Sequence, residues 1–130
     1  GICPTMNSQL KRVQKAYIND NSVKIMSFTV DPEKDSMEAL KKYALEHDAV
    51  DGKWHFFTGK RDDLYQLARR SFFLLKPAEA ENLDYAGGDF MHTNNFVLID
   101  SQRRIRGYYD GTNPDEVDEL IADIRILKAE

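Results

Sequence analysis

Val23-Lys24-Ile25-Met26-Ser27-Phe28-Thr29-Val30 is the stretch on which the fold turns. It is β-branched and apolar with a single charge, which reads as a strand buried on both faces, the kind that parallel sheets contain. Asp31-Pro32 closes it. Working back towards the N-terminus, the polar turn Asn19-Asp20-Asn21-Ser22 separates this strand from a helix. Met6, Leu10, Val13 and Tyr17 recur on one helical face, and Pro4 suits the first helical position because its missing N–H has no intrahelical partner there. Cys3 is then the N-cap. Working forward, Asp35 followed three residues later by Glu38 resembles a capping box, opening a helix that runs to His47 with Leu40, Tyr43 and Ala44 inward and Lys41, Lys42 and Glu46 in water. Asp51-Gly52 turns the chain into a short strand at Trp54 to Thr58, ended by Gly59.

The remainder completes an α/β pattern. Leu64, Leu67, Ala68 and Phe72 mark a third helix over residues 61–72. Residues 73–91, with Pro77 and Gly87-Gly88, read as a long loop or small excursion. Asn95–Asp100 and Ile105–Asp110 form a hairpin across Ser101-Gln102-Arg103-Arg104. A last helix is capped by Asn113, begins at Pro114, and buries Val117, Leu120, Ile121, Ile124 and Leu127. A first helix capped by a thiol normally descends from a strand, so the pattern expects a strand before Cys3 that this chain does not contain.

Composition narrows the function. The chain has 130 residues, enough for one domain with one core, and 42% hydrophobic with 31% charged residues is a globular balance. No apolar run approaches the ~18 residues of a membrane span. The net charge is −4 and there is no basic block, which excludes nucleic acid as a partner. A single cysteine rules out a disulfide within the chain. Gly1 in place of a methionine reads as a processed, engineered or truncated start.

Cys3 and His92 are the residues suited to chemistry. A thiol at a helix N-terminus lies at the positive end of the dipole and ionises more readily, and the thiolate is both nucleophile and soft metal ligand. His92, in Asp89-Phe90-Met91-His92-Thr93, ends the irregular segment just before a strand, where a ligand or general base is well placed. His47 closes a helix and His55 alternates with Trp54 and Phe56, so both read as structural or solvated. Met6 fills core, although Met6 and Met91 are also thioethers near the two candidates. Asp31, Glu33 and Asp35 lack a calcium-loop spacing and are explained by capping.

Cys3-Pro4-Thr5-Met6, Thr29-Val30-Asp31-Pro32-Glu33, Asp35, Tyr43, Trp54, Thr58-Gly59, Asp89 to Thr93, Leu98-Ile99-Asp100 and Gly107-Tyr108-Tyr109-Asp110-Gly111, in that order and spacing, resemble the Sco/SenC family of copper chaperones. The resemblance implies a thioredoxin-like α/β fold, a mixed sheet flanked by helices. It implies one copper ion, Cu(I) or Cu(II), held by two cysteines of a C-x-x-x-C-P motif and a distant histidine. Cys3 matches the second cysteine and His92 the histidine, and the first cysteine would lie two residues before Gly1. The family's members are anchored outside the cytoplasm, in the bacterial periplasm or its equivalent, by an N-terminal segment, here outside the chain. They deliver copper to, or reduce the cysteines of, the binuclear copper site in subunit II of cytochrome c oxidase.

This sequence departs from the family at Met91, where an acid is common, and at the hairpin tip, where glycine is frequent. The expectation is a single-domain, monomeric metallochaperone and not an enzyme. A thiol–disulfide oxidoreductase acting on a partner's cysteines is the alternative, and a peroxide-reducing thioredoxin-fold enzyme a third reading.

Overall fold

A computed structural model of the chain describes residues 4–28, 36–71 and 94–130. Its elements in order are α1 (Pro4–Ala16), β1 (Ile25–Phe28), α2 (Met37–Glu46), β2 (Trp54–Phe57), α3 (Arg61–Gln66) with a π-helical turn Leu67–Ser71, β3 (Asn95–Ile99), β4 (Ile105–Asp110) and α4 (Pro114–Lys128). Every helix and strand expected within these residues is present, with ends displaced by one or two positions. Thr29, Val30, Phe72 and the expected loop 73–91 lie outside the described residues. Parallel and antiparallel pairing both occur, carried by two separate two-stranded sheets among the described residues. The elements sort into two compact units, one with β1, α2, β2 and α3, the other with α1, β3, β4 and α4.

In the first unit β1 and β2 pair in parallel, with Ile25 opposite Trp54, Met26 opposite His55, Ser27 opposite Phe56 and Phe28 opposite Phe57. Alternation sends Ile25, Ser27, Trp54 and Phe56 to one face. There the Trp54 Nε1–H donates to Ser27 Oγ at 3.0 Å, the Trp54 and Phe56 rings stack at 5.2 Å, and Tyr43 of α2 meets Phe56 edge-on at 6.0 Å. Burial of β1 on both faces does not hold. Met26 is 57% exposed, because α2 covers the Trp54 face and Met26 stands on the other.

The start of α2 also differs from expectation. Ser36 is the N-cap, its Oγ accepting from the Ala39 N–H at 3.2 Å. Asp35 lies outside the described residues. A serine one position along supplies the same acceptor for an orphan N–H, and side-chain type alone does not choose between them. The third helix, expected to run unbroken, widens after Gln66 into the π turn. Apolar residues three and four apart stay on one side in either geometry, so Leu64, Leu67 and Ala68 cannot distinguish the two.

In the second unit α1 packs on α4, and α4 packs on β4. Val13, Tyr17, Tyr109, Val117, Leu120 and Ile124 are buried, Val117 completely. Gly111 follows β4 where a Cβ would stand 2.6 Å from the Phe96 ring, so no side chain fits without displacing it. Asn113 caps α4 as its sequence implies, accepting from the Asp115 N–H at 2.9 Å, with Pro114 next and Asp115 and Glu116 in the first turn. Asn113→Ala should lower the unfolding free energy by about 1 kcal/mol, and Asn113→Ser should recover most of it, as read from urea denaturation midpoints.

Candidate metal centre

Cys3 and His92, the two candidate ligands, lie outside the described residues, as do Met91, Asp31 and Glu33. The structure does describe the elements that follow each in sequence. α1 begins at Pro4, directly after Cys3, and its first turn carries no acid to offset the positive end of the dipole. β3 begins at Asn95, three residues after His92, and the carbonyl of Asn94 accepts from the Gly111 N–H at 2.6 Å. Both elements belong to the same unit.

A continuous set of bonds joins them. Arg12 of α1 pairs with Asp118 of α4, and it donates to the Pro114 carbonyl at 3.4 Å and to Gln9 at 2.7 Å. The Tyr17 hydroxyl donates to the Ile121 carbonyl. From α4 the frame continues to β4, where the Tyr109 hydroxyl donates to Asp123 Oδ2 at 2.7 Å. Burial, with that carboxylate beside it, pushes the Tyr109 phenol up. β4 then pairs with β3, Phe96 opposite Tyr109 and Leu98 opposite Gly107, with an irregularity at Leu98/Ile99. Helix, helix and hairpin are thus joined by hydrogen bonds and an ion pair into one frame, the kind of regular-element support on which a site can be built.

The other histidines are where the sequence expects them. His47 caps α2, its backbone N–H donating to the Tyr43 carbonyl at 3.0 Å and its ring stacked on Tyr43 at 4.0 Å. His55 is half-buried on the face opposite Trp54. Met6 is half-buried on α1. Among the described residues no group of three or more His, Cys, Asp and Glu side chains is arranged to hold a metal ion.

Two charged features escaped sequence reasoning. Lys53 is buried, its ammonium donating to the carbonyls of Asp20 and of Val23, the latter at 2.8 Å, and so fixing the turn before β1. Burial, with Lys24 adding repulsion, pushes the Lys53 ammonium pKa down. A lysine before a strand carries no sequence sign of this. The second feature is Asp100 at the hairpin tip. Its carboxylate accepts from the backbone N–H groups of Arg104 and Gln102, each at 2.9 Å, and from the side chains of Arg104 at 2.9 Å and Arg106 at 3.2 Å. Arg106 also grips Glu130 with two bonds, at 2.8 and 3.1 Å. This network holds a turn in which Arg103 takes φ +65°, the left-handed conformation for which glycine is the usual residue.

Those bonds, the Arg104 N–H first, hold the Asp100 carboxyl down at about 2. A depressed carboxylate contributes stability that is present above its unfolded value near 4 and is lost as pH falls towards the folded value. The hairpin tip should therefore loosen between pH about 4 and about 2. The amide signals of Gln102 and Arg104, followed by NMR, should titrate in that window, and Asp100→Asn should remove the transition.

Comparison with known proteins gives a consistent result. The family model described as SCO1/SenC matches residues 1–128. The SCO1 protein homolog of Bacillus subtilis (strain 168) is 30% identical over 127 residues, covering 95% of this chain and 63% of that protein. The chain therefore spans less than two thirds of that relative's length. A crystal structure of a SCO1/SenC family lipoprotein from Bacillus anthracis (strain Ames) is similar with a TM-score of 0.78 and 27% identity, over 100% of this chain and 74% of that one. BsSco, described as a member of the Sco family of cytochrome c oxidase assembly proteins with a disulfide switch, is similar with a TM-score of 0.75 and 28% identity, over 99% and 73%. Likeness of this extent establishes the thioredoxin-like α/β fold.

Proposed function

Because the chain belongs to the SCO1/SenC family, we propose that it is a copper-binding metallochaperone that serves the assembly of cytochrome c oxidase, delivering copper to the binuclear site of subunit II or preparing its cysteines. The observation that carries this reading is the position of Cys3, immediately before a helix whose first turn is free of acids, within a match that spans residues 1–128. Copper is the cargo. Cys3 supplies a thiolate and His92 an imidazole, soft and borderline donors that suit Cu(I) and are poor for magnesium or calcium. The third donor would be the first cysteine of the C-x-x-x-C-P motif that the family resemblance implies, at the position two residues before Gly1. Three donors leave the ion below four-coordinate and open to an incoming thiolate, as transfer requires. The description of the Bacillus anthracis relative as a lipoprotein supports an extracytoplasmic, membrane-anchored setting. Among the described residues no helix is long and apolar enough to cross a membrane.

The disulfide switch named for BsSco favours one second reading, a thiol–disulfide oxidoreductase acting on a partner's cysteines. Exchange needs a thiolate and a leaving thiol and does not need the imidazole. One pair of measurements on the protein with its motif complete separates the two readings. In a chaperone His92→Ala weakens Cu(I) binding in an anaerobic chelator competition, and in a reductase it leaves both copper binding and turnover of a disulfide substrate unchanged. The second outcome would overturn the proposal.

A further inference from the structure

We propose that the face of the β1–β2 ribbon turned away from α2 carries a second soft-metal site, for Cu(I), built from the Met26 thioether and the His55 imidazole. Its residues are different from those of the proposed Cys3 and His92 centre, and the inference stands on the ribbon alone.

Parallel pairing sets Met26 directly opposite His55. Neighbouring strands run ~4.8 Å apart and paired residues project to the same face, so the two side chains are adjacent across the ribbon. The next pair on that face, Phe28 and Phe57, has its rings stacked at 5.1 Å, and the His55 ring lies 6.3 Å from that of Phe57. The imidazole is thus half-buried against an aromatic wall while Met26 is 57% exposed, a large apolar side chain left open beside a nitrogen ligand. His47, by contrast, caps α2, with its ring stacked on Tyr43. Lys24, two residues before Met26, directs its ammonium onto the Gly52 carbonyl at 2.6 Å.

The donor set selects the ion. A thioether and an imidazole with no carboxylate or thiolate beside them in the paired strands are a poor set for zinc, calcium or magnesium, and suit Cu(I). The apolar rings alongside limit hydration of the imidazole, and the open side of Met26 leaves a path for the metal to enter and leave.

The test uses the chain carrying Cys3→Ser and His92→Ala, so that its result is independent of the proposed primary centre. Cu(I) is added anaerobically and the four methionine methyl groups are followed by NMR. The expected result is that the Met26 methyl and the His55 ring signals shift together at the first equivalent, and that His55→Ala abolishes the Met26 shift. Met26→Leu, which keeps the side-chain volume, should weaken Cu(I) by at least about tenfold in a chelator competition. Equal shifts at Met6, Met26, Met37 and Met91, or an unmoved His55 ring, would overturn the proposal.

Discussion

Cys3→Ser should reduce Cu(I) affinity by orders of magnitude and His92→Ala by a smaller but still large factor, when both are measured against a chelator on the protein with its motif complete. The order follows from donor type. A thiolate is the soft ligand that selects Cu(I), and serine offers only a hard, neutral hydroxyl in its place. Outer-shell changes alone cost roughly 10–100-fold in metal affinity, so loss of a direct ligand should exceed that range. The position of Cys3 adds to the effect, because the start of α1 at Pro4 and the absence of an acid in its first turn favour the anionic sulfur. Neither substitution should shift the urea midpoint appreciably. Equal affinity for Cys3→Ser and the parent protein would sink the assignment of Cys3 as a ligand.

Trp54→Ala should lower the unfolding free energy by about 3–5 kcal/mol, the largest stability loss expected of a single substitution in the first unit. Trp54 is 3% exposed, and its ring is stacked on Phe56 while its Nε1–H satisfies the Ser27 hydroxyl across the ribbon. Alanine removes the largest apolar area at this position and leaves a cavity under α2 that the short ribbon is poorly able to close. Trp54→Phe keeps most of the packing and forfeits the bond to Ser27, about 1 kcal/mol. Urea denaturation should rank the parent first, then phenylalanine, then alanine. A phenylalanine variant as damaged as the alanine one would show that the hydrogen bond dominates over packing.

The two variants differ in how far sequence reading reaches. The sequence places Trp54 only in a short strand, on the side opposite His55, and its burial against Phe56 is decided by packing. Cys3 and His92 stand out in the sequence as candidate ligands because their chemistry is carried by residue type and by local setting: a thiol before a helix-starting proline, and an imidazole just before a strand. Asn113-Pro114 located the start of α4 because both signals lie within one helical turn. The start of α2 was read one residue early because Asp35 and Ser36 are both competent caps. The π turn after Gln66 was not legible, since its apolar spacing is the same as that of an α-helix.

By itself the sequence determined the kinds and order of the elements, the parallel character of the first strand, the antiparallel hairpin, and the donor atoms available to a metal, since each is encoded within a few neighbouring residues. Tertiary structure alone decided which distant residues meet. The register that sets Met26 beside His55 joins positions 26 and 55, the burial of Lys53 depends on carbonyls at 20 and 23, and the Arg12 to Asp118 pair closes a span from one helix to the last. The same holds for the outward face of β1. Its residues are as apolar as those of a strand covered on both sides, and only the placement of α2 on the Trp54 face leaves Met26 open. Local propensity carries no information about these choices, because they are settled by which side chains remain to be covered once the chain has closed on itself.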